Sequence, residues 1–189
     1  MEMVVAALLS IVAVDAPPVS NPGFEQLRDS IGWPEGWGDL PDGWHCCFLP
    51  NEGHLVRYET KSLEESRAIF ITVASDHPDK RVCYNVTQDV PGFALGKTYR
   101  VSAKVQTRGL HKLPFVCVQC LDTSGKKFVG FACSPGRDLE GDVEQWERVE
   151  TKITVPDGTA KFRLRIGVSS DGNEGGTAMI DDVEVVEDR

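Results

Sequence analysis

Tyr99-Arg100-Val101-Ser102-Ala103-Lys104-Val105-Gln106 alternates apolar and polar side chains without a break, and Lys161-Phe162-Arg163-Leu164-Arg165-Ile166-Gly167-Val168 does the same. Successive side chains of a strand point to opposite faces, so each segment reads as a strand with one buried and one wet face. Similar segments recur outward from these two: Trp44 to Leu49, His54 to Tyr58, Ala68 to Val73, Val82 to Val90, Phe115 to Leu121, Lys127 to Cys133, Trp146 to Val155 and Thr177 to Val186. Turn signals such as Pro91-Gly92, Ser124-Gly125, Pro156-Asp157-Gly158 and Asp171-Gly172-Asn173 separate them. Short strands with one wet face cannot close a core in a single layer. Two sheets must stack, which predicts an all-β sandwich of jelly-roll type. The one helical candidate, Leu63 to Arg67, is too short to organise anything. Asp29 to Gly43, rich in Gly, Pro and Trp, reads as a long loop of the kind that carries function.

The chain has 189 residues, 41% of them hydrophobic and 26% charged, which suits one globular domain. A formal net charge of -9 repels a phosphate backbone, so nucleic acid is excluded as a partner. The longest apolar run, Met3 to Val14, is too short for a membrane span. It has the length of a signal-peptide core, and Val14-Asp15-Ala16 offers a cleavage site, although Met1-Glu2 lacks the usual positive charge. The reading is therefore a secreted or cell-envelope protein with residues 1–16 removed and one domain at 17–189. A first apolar strand or helix of the domain is the alternative.

Six cysteines raise metal or redox chemistry. Cys117 and Cys120 form a C-x-x-C, but on a strand they face opposite sides and cannot grip one zinc ion. Cys117 and Cys133 could bridge the hairpin around Ser124-Gly125; small buried thiols are the favoured alternative. His45, His54, His77 and His111 show no metal-hydrolase spacing, and no nucleophile elbow or phosphate loop is present. Among 29 acidic residues nothing marks out a catalytic pair, so no enzyme is expected. Asn85-Val86-Thr87 fits a glycosylation pattern but lies mid-strand, and is read as coincidence.

Three ordered groups of residues go beyond a generic sandwich: Asn21-Pro22-Gly23-Phe24-Glu25 with Pro41-Asp42-Gly43-Trp44; Val86-Thr87-Gln88-Asp89-Val90 continuing to Gly96-Lys97-Thr98-Tyr99; and Trp146-Glu147-Arg148-Val149, Phe162-Arg163-Leu164 and Ile180-Asp181-Asp182-Val183. In order and spacing the chain resembles carbohydrate-binding modules of the family 4, 9 and 22 group, in the galactose-binding-domain-like superfamily, from about Ser20 to Glu187. The resemblance implies a non-catalytic domain that binds an oligosaccharide or polysaccharide beside a glycoside hydrolase, which here would be a separate protein. It also implies a structural calcium ion held by Glu25 and Asp181. Alternation places Asp181 with Val183 and Val185, where a carboxylate needs a cation or a hydrogen-bond donor. Metal-free bonding to backbone N–H groups is the alternative.

Sugar binding needs flat apolar rings and planar polar side chains. Trp33 and Trp37, in the long loop, form the expected stacking platform, while Trp44 and Trp146 read as packing residues. The family pattern adds Tyr84, Gln119 and Arg165 as contacts on the concave sheet, with ordinary rim positions as the alternative. Cys120 stands where such modules often have an aromatic residue. A protein-interaction or envelope module on the same fold, and then a small glycan-active enzyme, are the rival readings.

Overall fold

The computed structural model describes residues 18–63 and 66–188; the apolar run and the cleavage site at Ala16 lie outside them. Two five-stranded antiparallel sheets face each other. One has the order β10-β7-β12-β5-β4, from Glu147–Thr154, Thr98–Arg108, Thr177–Glu187, Ser66–Val73 and Val56–Leu63. The other has the order β3-β6-β11-β8-β9, from His45–Cys47, Cys83–Val90, Lys161–Ser169, Phe115–Leu121 and Phe128–Cys133. Leu27–Arg28 (β1) and Leu40–Pro41 (β2) form a small separate pair, and one 3-10 turn spans Gly53–Leu55. The expected two-sheet sandwich is thus the fold. Among the described residues no helix is long and apolar enough to cross a membrane.

The two quoted segments are interior strands of opposite sheets, and their apolar halves meet. Tyr99, Val101, Ala103 and Val105 of β7 and Phe162, Leu164, Ile166 and Val168 of β11 are all buried, and the Tyr99 ring meets Phe162 edge-on at 5.7 Å. Each Val, Leu, Ile or Phe among them, taken fully from water, contributes about 1.5–3 kcal/mol. Tyr58 also ties the sheets together, its hydroxyl donating to the Cys47 carbonyl at 2.6 Å.

Two expectations are corrected. Leu63 pairs with Ser66 and Ser62 with Arg67 in the β4–β5 ladder, so the stretch read as helical belongs to a hairpin. The long loop folds onto the edge of the sandwich: Leu40 is fully buried, and Trp37 donates its indole N–H to the carbonyls of Gly53 (3.2 Å) and Val56 (2.8 Å). A methyl group on Gly53 would lie 2.8 Å from Pro34 Cβ, which shows how closely the loop is packed.

Candidate functional site

Alternation in the second sheet turns Val86, Leu164, Ile166, Val116 and Val118 inward and leaves their neighbours on its outer face. The register aligns these neighbours in rows. His45, Thr87, Arg165, Cys117 and Cys133 cross all five strands; Cys47, Asn85, Gly167 and Phe115 lie to one side, and Asp89, Arg163, Gln119 and Phe131 to the other. Gly167 is dictated by crowding, since a Cβ there would overlap the Tyr84 carbonyl and lie 2.6 Å from Asn85 Cα. Cys117 and Cys133, directly opposed, form a disulfide. The pairing thus departs from the favoured reading of free thiols, while Cys120 is buried on the inner side as alternation requires.

The disulfide, Phe115, Phe131 and Arg165 line a cleft of about 610 Å³ whose rim carries Arg81, Lys112 and Arg137. A second, more open depression of about 700 Å³ lies on the same face, lined by His45, Cys47, Thr87, Asp89 and Arg163. Thr87 and Arg165 are opposed in the ladder and each borders one depression, so the two adjoin. Arg163 holds Asp89 through two hydrogen bonds of 2.6 and 3.1 Å, which lower the Asp89 pKa. Burial raises the Cys47 thiol, with the positive charge of Arg165 opposing the rise.

A hairpin bulge shapes the outer edge. Val129 is the extra residue between Phe128, opposite Leu121, and Gly130, opposite Cys120. Two strand residues three apart would face opposite ways, but the bulge brings Phe128 and Phe131 to the same face. They are 56% and 58% exposed, with ring centres 6.3 Å apart.

The cleft wall is held by buried Asn173. Its Oδ1 accepts from the backbone N–H groups of His111 (2.8 Å) and Lys112 (3.0 Å), and its Nδ2 donates to the Ser169 carbonyl at 2.8 Å. Leu113 N–H donates to Arg137 O at 2.9 Å and Leu139 N–H to His111 O at 2.8 Å, joining the two loops of the rim.

The sequence candidates divide sharply. Arg165 lies half-buried in the cleft, its Nε donating to Asn85 Oδ1 at 3.1 Å. Gln119 is on the same face but 6% exposed, between Arg163 and Phe131. Tyr84 is fully buried, its hydroxyl 2.8 Å from His77 Nε2, and burial pushes its pKa up to about 12; it is a core residue with no ring surface for a ligand. Trp37 is likewise buried, stacked on Trp33 at 5.6 Å. Trp33 stays half-buried by β3, under the Arg28 guanidinium at 5.2 Å. The expected tryptophan pair is therefore a buried ring stacked on a half-buried one, at the opposite edge of the sheet from Phe131. Trp44 is a core residue as expected, and Trp146 is half-buried. Asn85 is fully buried and positions Arg165. The sequence reading missed Phe115, Phe128 and Phe131; two phenylalanines in the segment Lys127 to Cys133 were the available signal.

Glu25 and Asp181 approach each other around Gly23 at one end of the first sheet. Asp182 has φ 47° and forms a bulge with Val183 against Ala103, resetting the alternation. Asp181 consequently opposes Lys104 and does not share a side with Val183, which corrects the expected face. It is nonetheless 3% exposed, accepting from Ser66 Oγ (2.9 Å) and from Asp182 N–H (2.7 Å). Burial raises its pKa, with the charges of Asp182 and Glu25 adding to the rise. Glu25 accepts from Arg67 N–H at 2.9 Å. Among the described residues no three His, Cys, Asp or Glu side chains converge as a metal cluster. The set is two carboxylates, a donor chemistry that suits a hard cation.

No protein-family model matches the chain, and no curated protein does. Solved structures do match in fold. A CBM22-2 xylan-binding domain of Paenibacillus barcinonensis aligns at 14% identity over 79% of this chain and 94% of that one, with a TM-score of 0.56. A CBM22-1 and GH10 module pair of a Clostridium thermocellum endo-1,4-beta-D-xylanase, complexed with xylohexaose, aligns at 14% identity and a TM-score of 0.55 over 78% of this chain; the chain spans 26% of its length. A Stig cyclase of Fischerella sp. TAU aligns at 12% identity over 92% and 97% of the two chains, with a TM-score of 0.56. The sandwich is the fold of these carbohydrate-binding modules, a fold shared with a cyclase.

Proposed function

We propose that this chain is a non-catalytic carbohydrate-binding module that holds an oligosaccharide or polysaccharide along the outer face of β3-β6-β11-β8-β9. One observation carries the reading: exposed Phe131, with Phe128 beside it, borders a cleft whose opposite side is the planar Arg165 guanidinium. Phenyl rings stack on the C–H faces of pyranoses, and a fixed fork of N–H donors reads hydroxyl geometry. The two adjoining depressions give room for several sugar units. Glycoside hydrolysis usually requires two facing carboxyl groups, and the cleft lining supplies one, Asp138. The xylan-binding neighbours support the sugar reading, and the xylanase neighbour, with its CBM22 and GH10 modules together, supports an accessory role to a glycoside hydrolase. Export fits such a role and the disulfide. Calcium at Glu25 and Asp181 would fasten the first segment to the last strand.

Affinity electrophoresis against xylan, galactan and β-glucan, followed by titration calorimetry, tests the assignment. Phe131→Ala is expected to weaken binding by about 1 kcal/mol, the order of an aromatic contact, without changing the melting temperature. Absence of binding across a broad glycan panel would favour the protein-interaction reading.

A further inference from the structure

We infer that the ligand is an anionic glycan, one whose sugar units carry carboxylate or sulfate groups; the inference rests on the carbohydrate reading of the same cleft. The protein carries a net charge of -9, yet the side chains lining the cleft include four cations, Arg81, Lys112, Arg137 and Arg165, and one carboxylate, Asp138. Carboxylates behind the wall compensate part of this charge. Lys112 Nζ reaches Asp171 at 2.6 Å, with Arg81 3.8 Å from the same carboxylate, and Arg137 reaches Glu147 at 2.7 Å. Even so, four cations meet three carboxylates. The uncompensated one is Arg165: among the described residues no carboxylate pairs with it, and its side-chain hydrogen bond to Asn85 uses Nε.

That placement selects a ligand. An arginine half-buried beside a disulfide and a phenyl ring has lost part of its hydration, which favours an anion arriving with oxygens in a plane or fork. Neutral xylan or galactan offers only hydroxyls, which a glutamine or asparagine would satisfy without a desolvated charge. Concave walls of low dielectric also focus the field of Arg81, Lys112 and Arg137 into the cleft, so a polyanion is drawn in although the molecule as a whole is acidic. Phe131 then stacks on a sugar ring while Arg165 pairs with its acidic substituent.

Calorimetry on the full chain with four oligosaccharides of equal length tests this: xylohexaose, a neutral β-1,4-galactan, an oligogalacturonate and a sulfated galactan. One acidic ligand, at least, is expected to bind tenfold or more tighter than both neutral ones; which acidic ligand wins separates carboxylate from sulfate as the source. Raising salt from 0.1 to 1 M shortens the Debye length from about 10 to about 3 Å and should lower that affinity several-fold. Arg165→Gln should remove most of the preference. Arg81→Gln, at a side chain 74% exposed and so free of folding consequences, should weaken it several-fold. Neutral ligands bound as tightly as acidic ones, with no salt dependence, would overturn the inference while leaving the carbohydrate reading intact. Acidic binding that survives both substitutions would place it elsewhere and overturn it too. No binding by any of the four, nor by the wider panel, would overturn both.

Discussion

Replacing Asn173 with alanine isolates the residue on which the cleft wall depends. The side chain is fully buried and makes three hydrogen bonds, two accepted from consecutive backbone N–H groups and one donated to the Ser169 carbonyl. A buried polar group left without a partner costs about 1–3 kcal/mol. His111 is exposed, so water can reach its N–H, and the loss is carried mainly by Lys112 N–H and the Ser169 carbonyl. The expected destabilisation is therefore about 2–4 kcal/mol, which lowers the melting temperature by about 5–15 °C at the 2–4 °C per kcal/mol typical of this size. Asn173→Asp separates the two functions: its carboxylate still accepts from both N–H groups but cannot donate to Ser169, and it adds charge near Asp171. It should lose stability increasingly as pH rises above about 4, where the new carboxyl ionises. Thermal unfolding by circular dichroism provides the stability readout, and amide exchange at 109–114 the local one. An alanine variant within 0.5 kcal/mol of the parent, with unchanged exchange in that loop, would refute the role given to Asn173.

Reducing the Cys117–Cys133 disulfide, or making both residues serine, releases a loop of sequence separation 16 and should cost about 3 kcal/mol, or about 6–12 °C in melting temperature; equal melting with and without reductant would refute it. Asp181 has a raised folded pKa, so the native state binds the extra proton and stability falls as pH rises through that window above the ordinary carboxylate value. In chelator, Asp181→Asn should therefore melt higher than the parent at pH 7 and converge with it near pH 3. Calcium should raise the melting temperature of the parent and leave the variant unmoved; identical curves throughout would refute both the strain and the proposed site.

The strands were legible because one face of each is wet. Tyr99 to Val105 and Phe162 to Val168 fall within one or two residues of where alternation puts them, and the two-layer sandwich follows from their number. The site was less legible, for reasons that lie in local geometry. A Trp-Pro-Glu-Gly-Trp loop has the composition of an exposed platform, but satisfying the Trp37 indole with two backbone carbonyls draws it inside. Tyr84, which the family pattern put at the cleft, follows the alternation of β6 inward with Val86, and its hydroxyl is met by His77. Phe128 and Phe131 reach one face only because of a one-residue bulge, and Asp181 changes face because of another, at Asp182; a bulge leaves no mark in periodicity. Arg165 was named by the family pattern, and the unbroken alternation of β11 puts it on the outer face as that pattern requires.

The two outer faces of the sandwich differ in what they leave unsatisfied, and this difference is what favours the second sheet for the proposed ligand. On the first, the charges pair with one another: Lys104 with Asp182 at 2.7 Å, Arg148 with Glu184 at 2.6 Å, Lys152 with Asp188 at 2.8 Å and Lys97 with Glu187 at 2.8 Å. Its outward ring, Phe70, lies under Lys61 at 5.4 Å, and Lys61 in turn holds Glu59 at 2.6 Å. Such exposed pairs add little stability each, about 0–1 kcal/mol, but they occupy the groups that a ligand would have to engage. On the second sheet Asp89 pairs with Arg163 at 2.6 Å and Lys161 at 3.8 Å, and the cations of the cleft rim have carboxylates behind them, but among the described residues the pairing does not extend to Arg165. Arg165 meets an amide instead of a carboxylate, and Phe128 and Phe131 meet chiefly each other and solvent. Adding a carboxylate beside Arg165 would close this face as the first is closed. Thr87, opposed to Arg165 in the ladder, is the position for it: Thr87→Glu should abolish glycan binding while leaving stability within about 1 kcal/mol, because both positions are only half-buried and keep part of the new pair in water.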